Sequence, residues 1–209
     1  MHDEITHLFN LKGRTALVTG GARTLGYDAS AVLAAAGCNV ALTSRNLKSA
    51  EAAANQLQDI YGVETLALEM DQTDFEQVAE AVRAVLAWKP QIHILINNAG
   101  GGVGESPALL FERDPKDIAL MISTNLTGLL YCCREAGRHM AENGYGKIVN
   151  IASIAALCGR DRRVYARAGM KGQPVDYAAA LQKAKRWVRQ QEKWQSPYYW
   201  GAFVLVGPN

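Results

Sequence analysis

The stretch Thr19-Gly20-Gly21-Ala22-Arg23-Thr24-Leu25-Gly26 follows the apolar run Thr15-Ala16-Leu17-Val18 and opens into an alanine-rich segment of helical periodicity. A strand that turns through glycines into a helix is a ready anion site. The glycines let backbone and ligand approach closely, and the free N–H groups and positive helix end face the turn. Farther on, Thr43-Ser44-Arg45 ends a second apolar run, with no carboxylate beside Ser44. An acidic residue at that place accepts hydrogen bonds from ribose hydroxyls, whereas a guanidinium grips phosphate through paired, charge-assisted bonds. Arg45 and Arg23 therefore suit an additional phosphate. Polar residues also end later apolar runs: Asp71, then Asn97-Asn98-Ala99-Gly100, then Ser153. Asn125 falls within a long helical pattern, where its amide competes with backbone hydrogen bonds and needs a reason to be present.

The elements that must position these residues alternate regularly from residue 15 to about residue 151. Short apolar runs predict strands at Thr15–Thr19, Asn39–Thr43, Thr65–Glu69, Ile92–Ile96 and Gly146–Ile151. Between them the periodicity predicts helices at Leu25–Ala36, ended by Gly37, at Leu47–Tyr61, ended by Gly62, and at Thr73–Trp88, stopped near Pro90. Asp114-Pro115 is a cap followed by proline at the first helical position, opening a helix to about Glu142. Buried strands separated by helices pair in parallel through right-handed crossovers. The expected product is an α/β fold with a doubly wound parallel sheet. Its ligands bind at the carboxyl ends of the strands, where the glycine turn lies.

Composition sets the outer bounds. The chain has 209 residues, 49% of them apolar, and a net charge of +2. That length suits one domain, residues 1–209, and the near-neutral charge argues against nucleic-acid or membrane partners. No apolar run approaches the ~18 residues of a membrane span, and Met1-His2-Asp3-Glu4 lacks the basic-then-apolar order of a secretion signal. The expected location is cytoplasmic. Cys38, Cys132, Cys133 and Cys158 have no C-x-x-C spacing, and the four histidines are scattered. Free thiols are expected, and no metal site.

Taken in order, Thr19-Gly20 with Gly26, Asn97-Asn98-Ala99-Gly100, Asn125 in Thr124-Asn125-Leu126-Thr127-Gly128, and Ser153 after Ile148-Val149-Asn150-Ile151-Ala152 resemble the motifs of the short-chain dehydrogenase/reductase family of nicotinamide-dependent oxidoreductases. The resemblance covers roughly residues 9 to 180. Thr24 stands where the family usually has the middle glycine of its turn, which implies a slightly different path at the phosphates. The resemblance implies a Rossmann-like, three-layer α/β/α fold. It places Thr19, Gly20, Arg23, Thr24, Leu25 and Gly26 around a diphosphate, Asp71 beside the adenine ring, and Asn98, Ala99 and Gly100 along the cofactor; Asp71 equally suits the cap of the Thr73–Trp88 helix. Ser44 with Arg45 and Arg23 favours NADP(H) over NAD(H). The implied reaction moves a hydride between NADP(H) and a secondary alcohol or ketone, a hydroxylated sugar acid among the candidates.

The same resemblance implies a tyrosine that passes the proton, with Ser153 on the substrate oxygen and Asn125 holding a relay water. Free tyrosine has a pKa near 10, so only about one part in a thousand is ionised at neutral pH. The family lowers that pKa with a lysine four residues on. Tyr177, in Pro174-Val175-Asp176-Tyr177-Ala178-Ala179-Ala180, matches the family's helix start after an insertion of about eleven residues; Tyr165 is the alternative. Four residues after Tyr177 stands Leu181. Lys183 and Lys185 project about 120° and 80° away from Tyr177 on a helix, so neither replaces the missing ammonium. Arg160, Arg162 and Arg163, in the insertion, suit either a substrate anion or solvent.

Residues 181–209 depart from the family. They hold Trp187, Trp194 and Trp200, and five basic residues against one acidic residue, where a small-residue helix is expected. The sheet is thus expected to be incomplete at its C-terminal end, and the helix of the family's homo-oligomer altered. A divergent short member and a reading-frame change or truncation near codon 181 both account for this. Two functions follow: a working oxidoreductase, or a nicotinamide-nucleotide-binding protein with little turnover.

Overall fold

The computed structural model describes residues 9–101, 104–105 and 111–153. The chain divides into two compact units, Met1–Ser153 and Ile154–Asn209, and the described residues all belong to the first. In chain order that unit runs β1 (Thr15–Thr19), α1 (Thr24–Ala35), β2 (Asn39–Ser44), α2 (Leu47–Tyr61), β3 (Thr65–Glu69), α3 (Phe75–Trp88), β4 (Ile94–Asn97), α4 (Pro115–Ile122), a π-helical turn (Ser123–Thr127), α5 (Gly128–Glu142) and β5 (Lys147–Asn150). The five strands are parallel in the order β3-β2-β1-β4-β5. Strand order reverses between β1 and β4, which opens a crevice at their carboxyl ends.

Alternation along the strands assigns side chains to the two faces. Leu17, Ala41 and Leu95 pack with Val78, Val82 and Val85 of α3 and Cys132, Ala136 and Met140 of α5. Their neighbours Val18, Val40, Leu42 and Ile96 pack on the other face with Ala34 of α1 and Ala50, Ala53, Ala54 and Leu57 of α2. Burial on both faces is why these strands read as continuous apolar runs. Leu17, Leu42, Leu57 and Leu95 are fully buried, and each such side chain contributes about 2 kcal/mol of transfer free energy.

Most element ends follow local chemistry. Gly37 has φ +86°, and the amides of Gly37 and Cys38 return to Ala34 O and Leu33 O at 2.8 and 3.0 Å, a Schellman ending for α1. Gly62 caps α2 at φ +66°. Three differences from the sequence reading stand out. α3 starts at Phe75 under Asp74, whose carboxylate accepts from the Glu76 and Gln77 amides. β4 starts at Ile94, because His93 is engaged otherwise, its amide donating to Thr15 O and its Nδ1 accepting from the Thr15 amide. The helix from Pro115 to Glu142 is continuous but carries the π turn at Ser123–Thr127.

Candidate functional site

The glycine turn is fixed from behind by three neighbours. Gly20 sits at φ +63°, and its amide donates to Thr43 Oγ1 at 3.3 Å while the Gly21 amide donates to Thr43 O at 3.0 Å. A Cβ at Gly26 would overlap Gly20 O and Asn98 Nδ2, so only glycine lets α1 start this close to the turn. The Thr19 hydroxyl, fully buried, accepts from the amides of Asn98 and Ala99 at 3.1 and 3.0 Å. Asn98 Nδ2 reciprocates by donating to Thr19 O and Gly20 O, each at 3.1 Å.

The N-terminus of α1 differs from those of α2, α3 and α4. Those three are capped by the side chains of Asn46, Asp74 and Asp114. Arg23, at the α1 cap position, makes no capping bond, and the first turn holds no acidic residue. Its first-turn N–H groups and helix dipole are therefore met by neither a capping side chain nor an acidic residue of the helix itself. Thr24 opens α1 at φ +48°, the one positive φ outside glycine among the described residues. A β-branched residue there is strained.

These features border a cleft of about 840 Å³ at the carboxyl edge of the sheet. Of the residues expected to hold a cofactor, Gly20, Arg23, Thr24, Ser44, Arg45, Asp71, Asn98, Ala99 and Gly100 line it. Thr19 and Gly26 act from behind the wall, and Leu25 is exposed beside it. Arg23 and Arg45 are exposed, and among the described residues neither is ion-paired. Asp71 accepts from the Thr73 amide and hydroxyl at 2.9 and 2.8 Å, so it shapes its own loop while the capping of α3 falls to Asp74.

Asn125 projects from the π turn. Its Oδ1 accepts from the Gly101 amide at 2.8 Å, and its Nδ2 donates to Gly101 O and Met121 O at 3.0 Å. The asparagine thus has a structural occupation, clamping the loop that follows β4. Asn97, buried, crosses to β5 by donating to Asn150 Oδ1 at 2.8 Å. Ser153 lies three residues past β5, exposed at the same edge of the sheet but outside the cleft lining. Tyr177, Tyr165, Leu181, Lys183 and the arginines of the insertion lie outside the described residues.

Thr43, Gln72 and Thr124 are among the lining residues that the sequence did not single out. Thr43 had a visible signal, the last hydroxyl of an apolar strand. Gln72 and Thr124 had none, because each matters through a partner far along the chain. The described thiols are free, and burial pushes those of Cys38 and Cys132 up to about 12, far from a reactive thiolate.

Comparisons with known proteins agree with this geometry. Residues 14–169 match the family model described as short chain dehydrogenase. The chain is 36% identical over 153 residues to gluconate 5-dehydrogenase of Gluconobacter oxydans, covering 73% of this chain and 58% of that protein. It is 40% identical over 143 residues to the NAD(+)-named 2-dehydro-3-deoxy-L-rhamnonate dehydrogenase of a Sphingomonas species, covering 68% and 55%. Among solved structures, a short-chain type dehydrogenase/reductase from Mycobacterium ulcerans superposes with a TM-score of 0.66 at 32% identity, covering 70% of this chain and 54% of that one. The chain spans less than two thirds of the length of these relatives. With its doubly wound parallel sheet and its glycine turn at the switch point, the chain belongs to the short-chain dehydrogenase family of NAD(P)-dependent oxidoreductases.

Proposed function

We propose that the cleft binds NADP(H) and serves the oxidation of a secondary alcohol, or the reduction of its ketone, on a hydroxylated sugar acid. The observation that carries the cofactor preference is the end of β2, where Ser44 and the exposed Arg45 line the same cleft as Arg23 and no carboxylate follows the strand. The fit of a dinucleotide is supported by the uncapped start of α1, the glycine approaches at Gly20 and Gly26, and a cleft of about 840 Å³. When bound, the nicotinamide supplies the hydride acceptor or donor. In this reading the α1 amides take the diphosphate, Arg23 and Arg45 the ribose phosphate, and Asp71 borders the adenine. Asn98, Ala99 and Gly100 shape the opposite wall. Ser153 and Tyr177 are assigned to the substrate oxygen, and Asn125 to a relay water. The sugar-acid assignment is supported by two relatives whose names are those of sugar-acid dehydrogenases.

Titration of the full chain with NADPH and NADH by cofactor fluorescence tests this. NADPH is expected to bind at least tenfold more tightly, and the pair Ser44→Asp with Arg45→Ala to reverse the order. Equal affinities, or no binding of either, would overturn the cofactor assignment.

A second reading is favoured by one observation, Leu181 four residues after Tyr177. It makes the protein a nicotinamide-nucleotide binder with little turnover. NADPH binding without oxidation against a panel of keto-acids and ketones, with turnover appearing in Leu181→Lys, would select it. Turnover in the unmodified chain would reject it.

A further inference from the structure

Gln72 is a buried amide in the loop between β3 and α3, and it reaches two distant segments. Its Nε2 donates to Ala99 O at 3.0 Å and to Thr124 O at 2.6 Å. Both partners are carbonyls, so the amide orientation is not arbitrary: the nitrogen must face them. The oxygen is then left buried with no partner among the described residues. An orphaned buried acceptor is costly, because it has given up its bonds to water without a replacement. A glutamine held at that cost must satisfy something more demanding.

The π turn supplies the demand. In an α-helix the Gly128 amide would donate four residues back, to Thr124 O. Here it donates five back, to Ser123 O. The wider turn displaces the Thr124 carbonyl from its usual partner, and Gln72 Nε2 meets it. The helix comes close enough only because residue 128 is glycine. A Cβ there would fall 2.6 Å from Gln72 O and 2.7 Å from Gln72 Cγ. The residue after Thr124 is Asn125, whose side chain clamps Gly101.

We propose that Gln72 is a positioning residue: by accommodating the displaced Thr124 carbonyl and tying it to Ala99, it sets where Asn125 stands against the loop after β4. One amide thereby joins the loop of Asp71, the wall of Ala99 and Gly100, and the helical turn of Asn125. Its bearing on the nucleotide rests on the function proposed above; the positioning itself does not.

Amide hydrogen exchange in the full chain, without ligand, reads this directly. Gly101 is exposed, and its amide is held by Asn125 Oδ1. Gln72→Met keeps the volume and removes both donors, and Gly101 exchange is expected to speed up at least tenfold while the strand amides of Leu17 and Leu42 stay within twofold. Gly128→Ala, which pushes the helix off Gln72, is expected to do the same. Unchanged Gly101 exchange in a folded variant overturns the proposal. Should neither variant fold, the unmodified chain decides. The Gln72 Nε2 protons are expected to exchange at least tenfold more slowly than a free glutamine amide, with the same denaturant dependence as Gly101. Free-amide exchange overturns the proposal. An unmodified chain that passes this test yet binds no NADPH sinks the proposed function and leaves the positioning role standing.

Discussion

Thr19 and Asn98 hold each other at both ends: the Thr19 hydroxyl accepts the Asn98 amide, and the Asn98 side chain donates to the Thr19 carbonyl. This reciprocal pair joins β1 to the loop after β4 at the point where the sheet changes direction. Thr19→Val keeps the shape and leaves the amides of Asn98 and Ala99 without their acceptor. Two half-buried donors lose their partner, so a destabilisation of about 1–2 kcal/mol is expected. Urea denaturation checks it, and a loss below about 0.5 kcal/mol would mean that the hydroxyl is dispensable.

Thr24 offers the opposite outcome. Its φ of +48° costs a β-branched residue about 1–2 kcal/mol, whereas glycine adds about 0.5–1 kcal/mol of chain entropy. Strain is the larger effect, so Thr24→Gly is expected to stabilise the fold by about 0.5–1 kcal/mol. Denaturant midpoints of the two proteins settle the sign.

Gly26→Ala is expected to be severe. The added methyl overlaps Gly20 O and Asn98 Nδ2, both of which are fixed by the Thr19–Asn98 lock and neither of which is a flexible tip. Overpacking of this kind costs about 1–3 kcal/mol. Moving the turn should also weaken NADPH binding at least tenfold in a fluorescence titration. An alanine variant with unchanged melting and binding would show that α1 can retreat.

His93 gives the fold an acid sensitivity. Its Nδ1 accepts from the Thr15 amide, so the ring must be unprotonated there. Burial chiefly, with Arg14 and His139 nearby, lowers its pKa below the usual histidine value. Below about pH 6.5 the unfolded chain then binds a proton that the folded chain refuses, and stability falls as pH drops toward the folded pKa. The slope from this group is at most about 1.4 kcal/mol per pH unit. Urea midpoints between pH 7.5 and 5.5 should fall less steeply in His93→Asn than in the parent protein.

How far these features were legible in the sequence depends on the reach of the forces that make them. β1, α2 and β3 lie where the apolar runs and glycines put them, because burial on two faces and a left-handed cap are local signals. The glycine turn and Asn98 were readable as a pattern of spacing. The π turn was not, since nothing within Ser123–Thr127 requests an extra residue per turn. The carbonyl it displaces, that of Thr124, finds its partner in Gln72, 52 residues away. Likewise Asp74 rather than Asp71 caps α3, a choice between two good caps made by how Asp71 folds its own loop around Thr73.

The place where the strand order reverses has a consequence for how the chain comes together. Pairing contacts within the β1–β2–β3 half span short stretches, 23 residues from Gly20 to Thr43 and 25 from Asn39 to Glu64. The seam between β1 and β4 closes a loop of 79 residues from Thr19 to Asn98. By the logarithmic growth of closure entropy, that seam costs about 1 kcal/mol more to bring together than its neighbours. The cleft is built on this seam, so its ligand meets only a chain in which this long loop has already closed. Any molecule that seats there draws the ensemble toward the joined state by mass action. The cleft is thus also the suture of the fold, and occupancy should slow the escape of the two halves from each other.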